Sequence, residues 1–299
     1  MRNSILVLIL TLAFGKAYSQ SDDYVRLGKS VDSVIYRVET WDGSTFIGHV
    51  EKQDSAFIEM VTLSGMRLTM QRKQVVSLQA VDPDDIHNGK YWFPNPNATR
   101  YLFGTSAFTL KPGEGYYQNT YLLLNSFNVG ITNNISIGGG FEFISTFASG
   151  FHNPIFFLTP KVGFKVTDKF RAGGGVYYLS APRLFNGGRS GSGILYGITT
   201  YGTPNSNVSL GAGWGFITKG EFSERPALTL SGMHRLSRKV ALVSENWFIP
   251  DSDRYYTIAS YGIRFFGEKL SVDLAFFNNS DIVKSLFIGI PYLDFVVKF

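Results

Sequence analysis

The stretch EKLSVDLAFFN, residues 268–278, decides how this chain is to be read. Side chains alternate along an extended strand, so Leu270, Val272, Leu274 and Phe276 share one face while Ser271, Asp273 and Ala275 share the other. Half-buried strands of soluble sheets alternate too, but they run to only ~5–6 residues. A tilted strand needs ~9–11 residues to cross a bilayer, and this stretch has that length.

The same pattern recurs upstream. In 155–166, Phe156, Leu158, Val162 and Phe164 oppose Thr159, Lys161, Gly163 and Lys165. In 207–218, Val208, Leu210, Ala212, Trp214 and Phe216 oppose Ser209, Gly211 and Gly213. The reading gives twelve extended segments: 100–110, 116–131, 134–146, 155–166, 169–182, 193–203, 207–218, 227–237, 239–249, 254–266, 268–278 and 285–299. In 116–131, Asn125 interrupts the apolar face and predicts a bulge.

The connections alternate. Short ones are Thr132-Asn133, Thr167-Asp168, 204–206, Arg238 and Gly267; longer ones are 111–115, 147–154, 183–192, 219–226, 248–254 and 278–285. An even strand count with short turns at one end and longer loops at the other is the rhythm of a transmembrane β-barrel. Aromatic doublets such as Tyr177-Tyr178, Tyr255-Tyr256 and Phe265-Phe266 fall at segment ends, where interfacial girdles belong. The expected fold class is therefore all-β, a transmembrane antiparallel barrel of about 12 strands filling 100–299 and preceded by a smaller β module.

Alternation places ten charged residues in the lumen: Glu142, Lys161, Lys165, Arg171, Arg235, Glu245, Arg264, Asp273, Asp294 and Lys298. Arg264, Asp273 and Asp294 fall on the last three segments and are expected to be cross-strand neighbours. This network either fills the interior by mutual pairing or lines a constriction whose six bases and four acids favour anions weakly.

The start of the chain, MRNSILVLILTLAFGKAYSQ, has a basic residue, an apolar run from Ile5 to Phe14 and small residues at Ala17 and Ser19. That is the anatomy of a secretory signal peptide over residues 1–19, with a run too short to cross a bilayer as a helix. Its removal takes away Arg2 and Lys16 and lowers the formal charge from +5 to +3. The remaining bases are scattered, which excludes the basic patch of a nucleic-acid binder. The absence of cysteine excludes disulfides and thiol chemistry.

Residues 25–81 are expected to form the small module, with strands VIYRVETW, STFIGHVEK, AFIEMVTL, MRLTMQRK and VVSLQAV and tight turns at Asp42-Gly43 and Ser64-Gly65. Five short strands predict a small closed barrel. VETWDGSTFIGHVEKQD resembles the first motif of Sm-like folds, with Asp42-Gly43, Gly48 in a bent second strand and an acid at Asp54. The resemblance implies an Sm-like or SH3-like module; behind a signal peptide it points to a periplasmic adaptor for an envelope protein partner. Residues 82–99, rich in Pro, Asn and Asp, read as a linker.

Two further resemblances bear on the barrel. The stretch from NPNATRYLF through KPGEGYYQNTYLLL to FNVGITNNISIGGGFEF, residues 95–143, resembles Gram-negative outer-membrane barrel proteins of unassigned function. It implies an outer-membrane location, with outer-membrane lipid around the barrel, and no activity. The terminal stretch PYLDFVVKF places Leu293, Phe295, Val297 and Phe299 on one face. It resembles the signal by which the outer-membrane insertion machinery recognises its clients.

Chemistry finds little support. The phospholipase type of barrel uses a His followed two positions later by Ser, and none of His49, His87, His152 and His234 has that neighbour. His152 with Ser149 and Asn153 is a partial triad confined to one loop, where the three cannot readily hold one another within reach. Asp82, Asp84 and Asp85 suit a solvated linker better than a calcium site. No catalytic, metal or cofactor residue is expected, nor a plug of the size used by large transporters ahead of the barrel. The resulting expectation is a non-enzymatic barrel, either a membrane-embedded subunit of an envelope complex or a narrow small-solute channel; an outer-membrane lipid-modifying hydrolase is the alternative.

Overall fold

A computed structural model describes residues 34–148, 150–182, 189–218 and 220–299. The expected signal peptide, and residues 25–33 of the module, lie outside the described residues. The chain divides between Asp84 and Asp85 into two compact units.

The first unit is one antiparallel sheet: β1 (Ile35–Thr40), β2 (Thr45–Gln53), β3 (Phe57–Thr62), β4 (Arg67–Gln71) and β5 (Val75–Val81). Its order is β4-β3-β2-β1-β5. Among the described residues no pairing joins β4 to β5; a single 3-10 turn, Arg72–Gln74, links them. Gly43 and Gly65 turn two of the hairpins at φ 81° and 85°, a region that glycine enters without steric cost. Gly48 lies so close to β3 that a Cβ would stand 2.0 Å from the Val61 carbonyl oxygen. The core is Val38, Ile58, Met60, Met70 and Val75, with Phe46, Val50, Leu68 and Leu78 packed against it.

The second unit begins with a small hairpin, β6 (Ile86–His87) and β7 (Lys90–Tyr91). Its barrel wall consists of β8 (Gly115–Thr120), β9 (Leu124–Gly130), β10 (Ile135–Glu142), β11 (Phe156–Leu158), β12 (Lys161–Lys165), β13 (Phe170–Pro182), β14 (Arg189–Thr203), β15 (Ser206–Ile217), β16 (Ala227–Ser237), β17 (Val240–Asp251), β18 (Arg254–Phe266), β19 (Leu270–Asn278) and β20 (Ile290–Lys298). Every wall pairing is antiparallel, and β20 pairs with β8 to close the ring. β11 and β12 are two pieces of one strand, both flanked by β10 and β13 and interrupted at Thr159-Pro160, where proline has no N–H to give. The wall therefore has twelve strands.

Twelve is the expected number, but two of the expected strands are different objects. Residues 100–110 do not join the wall; they lie inside it. Residues 116–131 are two strands, β8 and β9, turning at Tyr121 and Leu122 with φ of 55° and 63°. Asn125 is thus no bulge: it is the second residue of β9, opposite Asn119, whose Nδ2 donates to Asn125 Oδ1 at 2.8 Å. Residues 111–115 are likewise no loop at the long-loop end. They lead from the interior to the first residue of β8, which pairs with the C-terminal Phe299. The doublet Tyr116-Tyr117 therefore stands near the short-turn end. The connection expected over 248–254 shrinks to Ser252-Asp253, because Asp251 and Arg254 still pair.

Face assignment follows the alternation. Leu270, Leu274, Leu210, Trp214, Val162 and Phe164 are exposed on the outside, whereas Ser271, Asp273, Ala275, Ser209 and Lys161 are buried within. The barrel is apolar outward and polar inward, the arrangement that a bilayer requires.

Candidate functional site

The interior holds a segment of the chain itself, residues 93–114. Phe93, Asn95, Asn97, Thr99, Arg100, Tyr101, Leu102, Ser106, Ala107, Phe108 and Leu110 are all buried. The segment enters at the short-turn end, where Asn95 Nδ2 donates to the Pro204 carbonyl at 2.6 Å. It reverses at Tyr101–Gly104, Tyr101 N donating to Gly104 O at 2.9 Å and Ser106 N to Thr99 O at 3.1 Å. It leaves at the same end beside a different turn, that between β9 and β10: Thr109 Oγ1 donates to the Asn133 carbonyl at 2.6 Å.

Non-sheet backbone at membrane depth persists only where protein satisfies its N–H and C=O groups. Wall side chains do so here. The Glu245 carboxylate accepts from Leu102 N and Gly104 N, both at 2.8 Å, and from Trp247 Nε1 at 2.7 Å. Arg264 donates to the carbonyls of Asn97, Arg100 and Tyr101. Lys161 Nζ donates to the carbonyls of Thr99, Ser106 and Phe108 and to Thr105 Oγ1, at 2.6 to 3.3 Å. Thr200 Oγ1 accepts from Ala107 N at 2.8 Å, and Ser136 Oγ from Leu110 N at 3.1 Å.

A buried ion cluster locks the reversal. Arg264 grips Asp273 through both carboxylate oxygens, at 2.6 and 2.7 Å. Asp273 lies directly opposite Asp294 in the β19–β20 register, and like charges placed so repel. Arg100, carried in by the insert, reaches both: Nη2 stands 3.1 Å from Asp273 Oδ2 and 2.9 Å from Asp294 Oδ2. Gln118 and Tyr292 complete the shell of Asp294 at 2.9 and 2.7 Å. Two guanidinium groups and two carboxylates leave the cluster neutral, which is the condition for keeping it out of water. Beside it Tyr101, Leu102 and Phe93 pack on Met233, Val243, Phe266, Ala275 and Tyr292.

Arg235 fixes the entry. Its guanidinium lies 4.8 Å from the Phe93 ring and 4.9 Å from the Phe266 ring, and it donates to the Phe93 carbonyl at 2.8 Å. Arg171 covers the Phe108 ring at 4.8 Å, and Lys298 pairs with Glu114 at 3.2 Å where the insert exits. Eight of the ten expected lumen charges thus touch the insert. The other two do not, and their positions correct the expectation. Glu142 accepts from Ile144 N and Ser145 N, capping a short helix (Phe143–Ala148) beyond the end of β10. Lys165 is exposed in an i,i+3 pair with Asp168 at a turn. Both stand at strand ends, where alternation no longer determines facing.

Arg100 is the functional residue that pattern reasoning missed. Its signal lay in the mid-strand charges of the last three strands, away from Arg254 and Lys298 at their ends: one base, Arg264, against the two acids Asp273 and Asp294. The expected linker 82–99 is corrected as well, since its second half is inside the barrel.

The terminal residues form the seam. Leu293, Val297 and Phe299 are exposed, and Phe295 faces the Tyr117 ring at 6.1 Å. Gly115 and Phe299 exchange backbone hydrogen bonds at 3.1 and 2.9 Å, and the Phe299 ring occupies the space that a Gly115 Cβ would fill. Of the histidines, His234 bonds Ser206 at 2.8 Å, His87 stacks on Trp92 and His49 approaches the Val34 carbonyl. Among the described residues no group of three potential metal ligands converges.

No family model matches this chain, and no curated protein matches it. Among solved structures it is similar to a loop-L8 deletion mutant of OmpT, an outer membrane protein of Vibrio cholerae, at 10% identity and a TM-score of 0.33, over 89% of this chain and 96% of that one. It is also similar to Salmonella typhi OmpF in complex with daunomycin, at 9% identity and a TM-score of 0.29, over 89% and 95% of the two chains. Values this low carry no function across.

Proposed function

We propose that the chain is a non-enzymatic outer-membrane anchor, a closed barrel that holds the module of residues 34–84 at the periplasmic face as part of an envelope complex. The observation that carries this reading is the insert. Backbone and side chains of 93–114 cross the lumen and are tied to strands on both sides of it, by Lys161 and Ser136 on one and by Arg264, Asp273 and Glu245 on the other. A free solute path suits neither that packing nor the neutral, fully buried cluster. An apolar exterior and a short-turn end shared by β8 and the C-terminus support the outer membrane. Insertion by the outer-membrane machinery through Leu293, Phe295, Val297 and Phe299 belongs to the same reading.

Planar-bilayer recording of the purified full chain tests it. The anchor reading expects no single-channel steps. Uniform steps would favour the narrow small-solute channel instead, and would require the insert to leave the lumen.

A further inference from the structure

The wall is uneven in height. β8 and β9 have 6 and 7 residues, whereas β13, β14, β15, β17 and β18 have 12 to 15. At ~3.4 Å per residue and a tilt of ~40°, six residues rise about 16 Å and twelve about 31 Å, against an apolar band of ~25 Å. The missing height is at the end away from the short turns. There β20 continues past β8: Ile290–Leu293 pair with β19 alone, apart from the Tyr121 N–H on the Leu293 carbonyl.

The crest of this low stretch is apolar. Leu122 at the β8–β9 turn is 71% exposed, and Phe287 in the adjoining β19–β20 connection is 85% exposed. On the other flank Phe143, Ile144 and Phe147 of the short helix are exposed as well. The β8–β9 turn is tied to both neighbours, since Tyr121 Oη donates to the Pro291 carbonyl at the start of β20 at 2.8 Å and Phe143 N to the Leu123 carbonyl at 2.8 Å. By the height estimate this crest lies within the lipid, not above it.

Directly behind the low wall is a cavity of about 260 Å³. The inward side chains of β8 and β9 (Tyr116, Gln118, Thr120, Ser126 and Asn128) line it, with Lys161 and Arg100 on its other sides and no carboxylate among the lining residues. The Lys161 ammonium has only carbonyl and hydroxyl oxygens around it. A buried cation without a counter-charge makes its surroundings favour an anion. The insert therefore packs against β16–β20 and leaves polar space against β8–β12, where Lys161 is the lining base without a carboxylate, Arg100 being paired with Asp273 and Asp294.

We infer that the low wall at β8–β9 is a lateral portal through which an acyl amphiphile with an anionic headgroup, drawn from the external leaflet, places its head in the cavity while its chain lies over Leu122 and Leu123. The inference rests on the reading of the chain as an outer-membrane barrel. Migration of unboiled against boiled protein on a detergent gel reports the barrel separately from binding.

The test is native mass spectrometry of the full chain in a zwitterionic detergent, titrated with palmitoyl lysophosphatidylglycerol, with neutral monopalmitoylglycerol and with glycerol phosphate. The charged lysolipid is expected to be retained at least tenfold more tightly than either of the others. Leu122→Glu should weaken its binding at least tenfold in the fraction that shows the barrel's gel shift. Lys161→Gln should weaken it too, in whatever fraction still shows the barrel's gel shift. Equal retention of the neutral lipid would remove the anionic headgroup, and glycerol phosphate binding as tightly as the lysolipid and unmoved by Leu122→Glu would make the cavity a site for a soluble anion. Lysolipid binding that Leu122→Glu leaves unchanged, or no binding at all, would overturn the portal.

Discussion

The two units of this chain are antiparallel sheets of alternating strands with opposite contents. The small sheet buries Val38, Ile58 and Met60 and turns Glu59 and Arg67 outward; the barrel buries Asp273, Glu245 and Arg264 and turns Leu210, Leu274 and Phe164 outward. Period-two patterning is the same in both, so the pattern alone specifies strands and says nothing of the solvent. What separates them is strand length and the face on which the charges lie. Apart from β2 the strands of the small sheet have five to seven residues, too few to cross a bilayer, whereas β13 to β18 have eleven to fifteen, and there the charged face must turn inward.

The comparison breaks most easily at the buried charges. Asp273→Ala leaves Arg264 and Arg100 with one carboxylate between them, and breaking a buried pair costs about 3–5 kcal/mol. The expected outcome is a large drop in the temperature at which unboiled protein loses its fast-migrating band. In the small sheet the equivalent damage comes from an apolar deletion: Met60→Ala is expected to cost about 2–5 kcal/mol in denaturant unfolding of the module. Glu59→Ala, on its exposed face, should stay within about 0.5 kcal/mol. Exchanging the two kinds of mutation between the units would show equal sensitivities only if the inside-out contrast were wrong.

The lipid face gives the next effect. Leu210→Arg is expected to destabilise the barrel by about 2–4 kcal/mol if the position is near the midplane, measured by denaturant titration in lipid. A neutral outcome would mean that Leu210 does not face lipid.

Much of this contrast was legible in the sequence. Strands β13 to β20 and the five strands of the small sheet lie where alternation and turn residues put them. The opening strands of the barrel do not, for two physical reasons. The β8–β9 turn uses Tyr121 and Leu122 at positive φ, without the glycine, asparagine or proline that normally marks such a reversal. The insert is held by side chains remote in the chain, Glu245 binding Leu102 and Arg264 binding Asn97, so no local period betrays it. One strand too many and one too few cancelled in the count of twelve. Eight of the ten charges placed in the lumen lie against the insert because alternation reports facing, and Glu142 and Lys165, at strand ends, do not. The purpose of the eight was not legible, because the partner they serve is backbone.

A smaller effect distinguishes the seam. Removing Phe299 deletes both backbone bonds to Gly115 and the ring over it, whereas Lys298→Ala loses a half-exposed pair with Glu114. Assembly yield should fall clearly for the first and little for the second; equal yields would deny the seam its role.

The smallest effect concerns pH. In the small sheet the Thr40 hydroxyl and Ser44 N–H hold the Asp42 carboxyl below its ordinary range, as the Phe57 and Ala56 N–H groups do for Asp54. A depressed folded-state value gives stability that is present above the ordinary carboxylate pKa and lost as pH falls through the folded one. Acid titration of the module should therefore show slight weakening only below that ordinary range, and Asp54→Asn should flatten it.

The occupied lumen is tested most directly by a single cysteine at Ala107, a buried, near-isosteric position on the insert of a chain that has no cysteine of its own. In the folded protein a water-soluble maleimide should leave Ala107→Cys unlabelled until the barrel is denatured. Labelling of the folded barrel at the rate of an unfolded peptide would contradict the account.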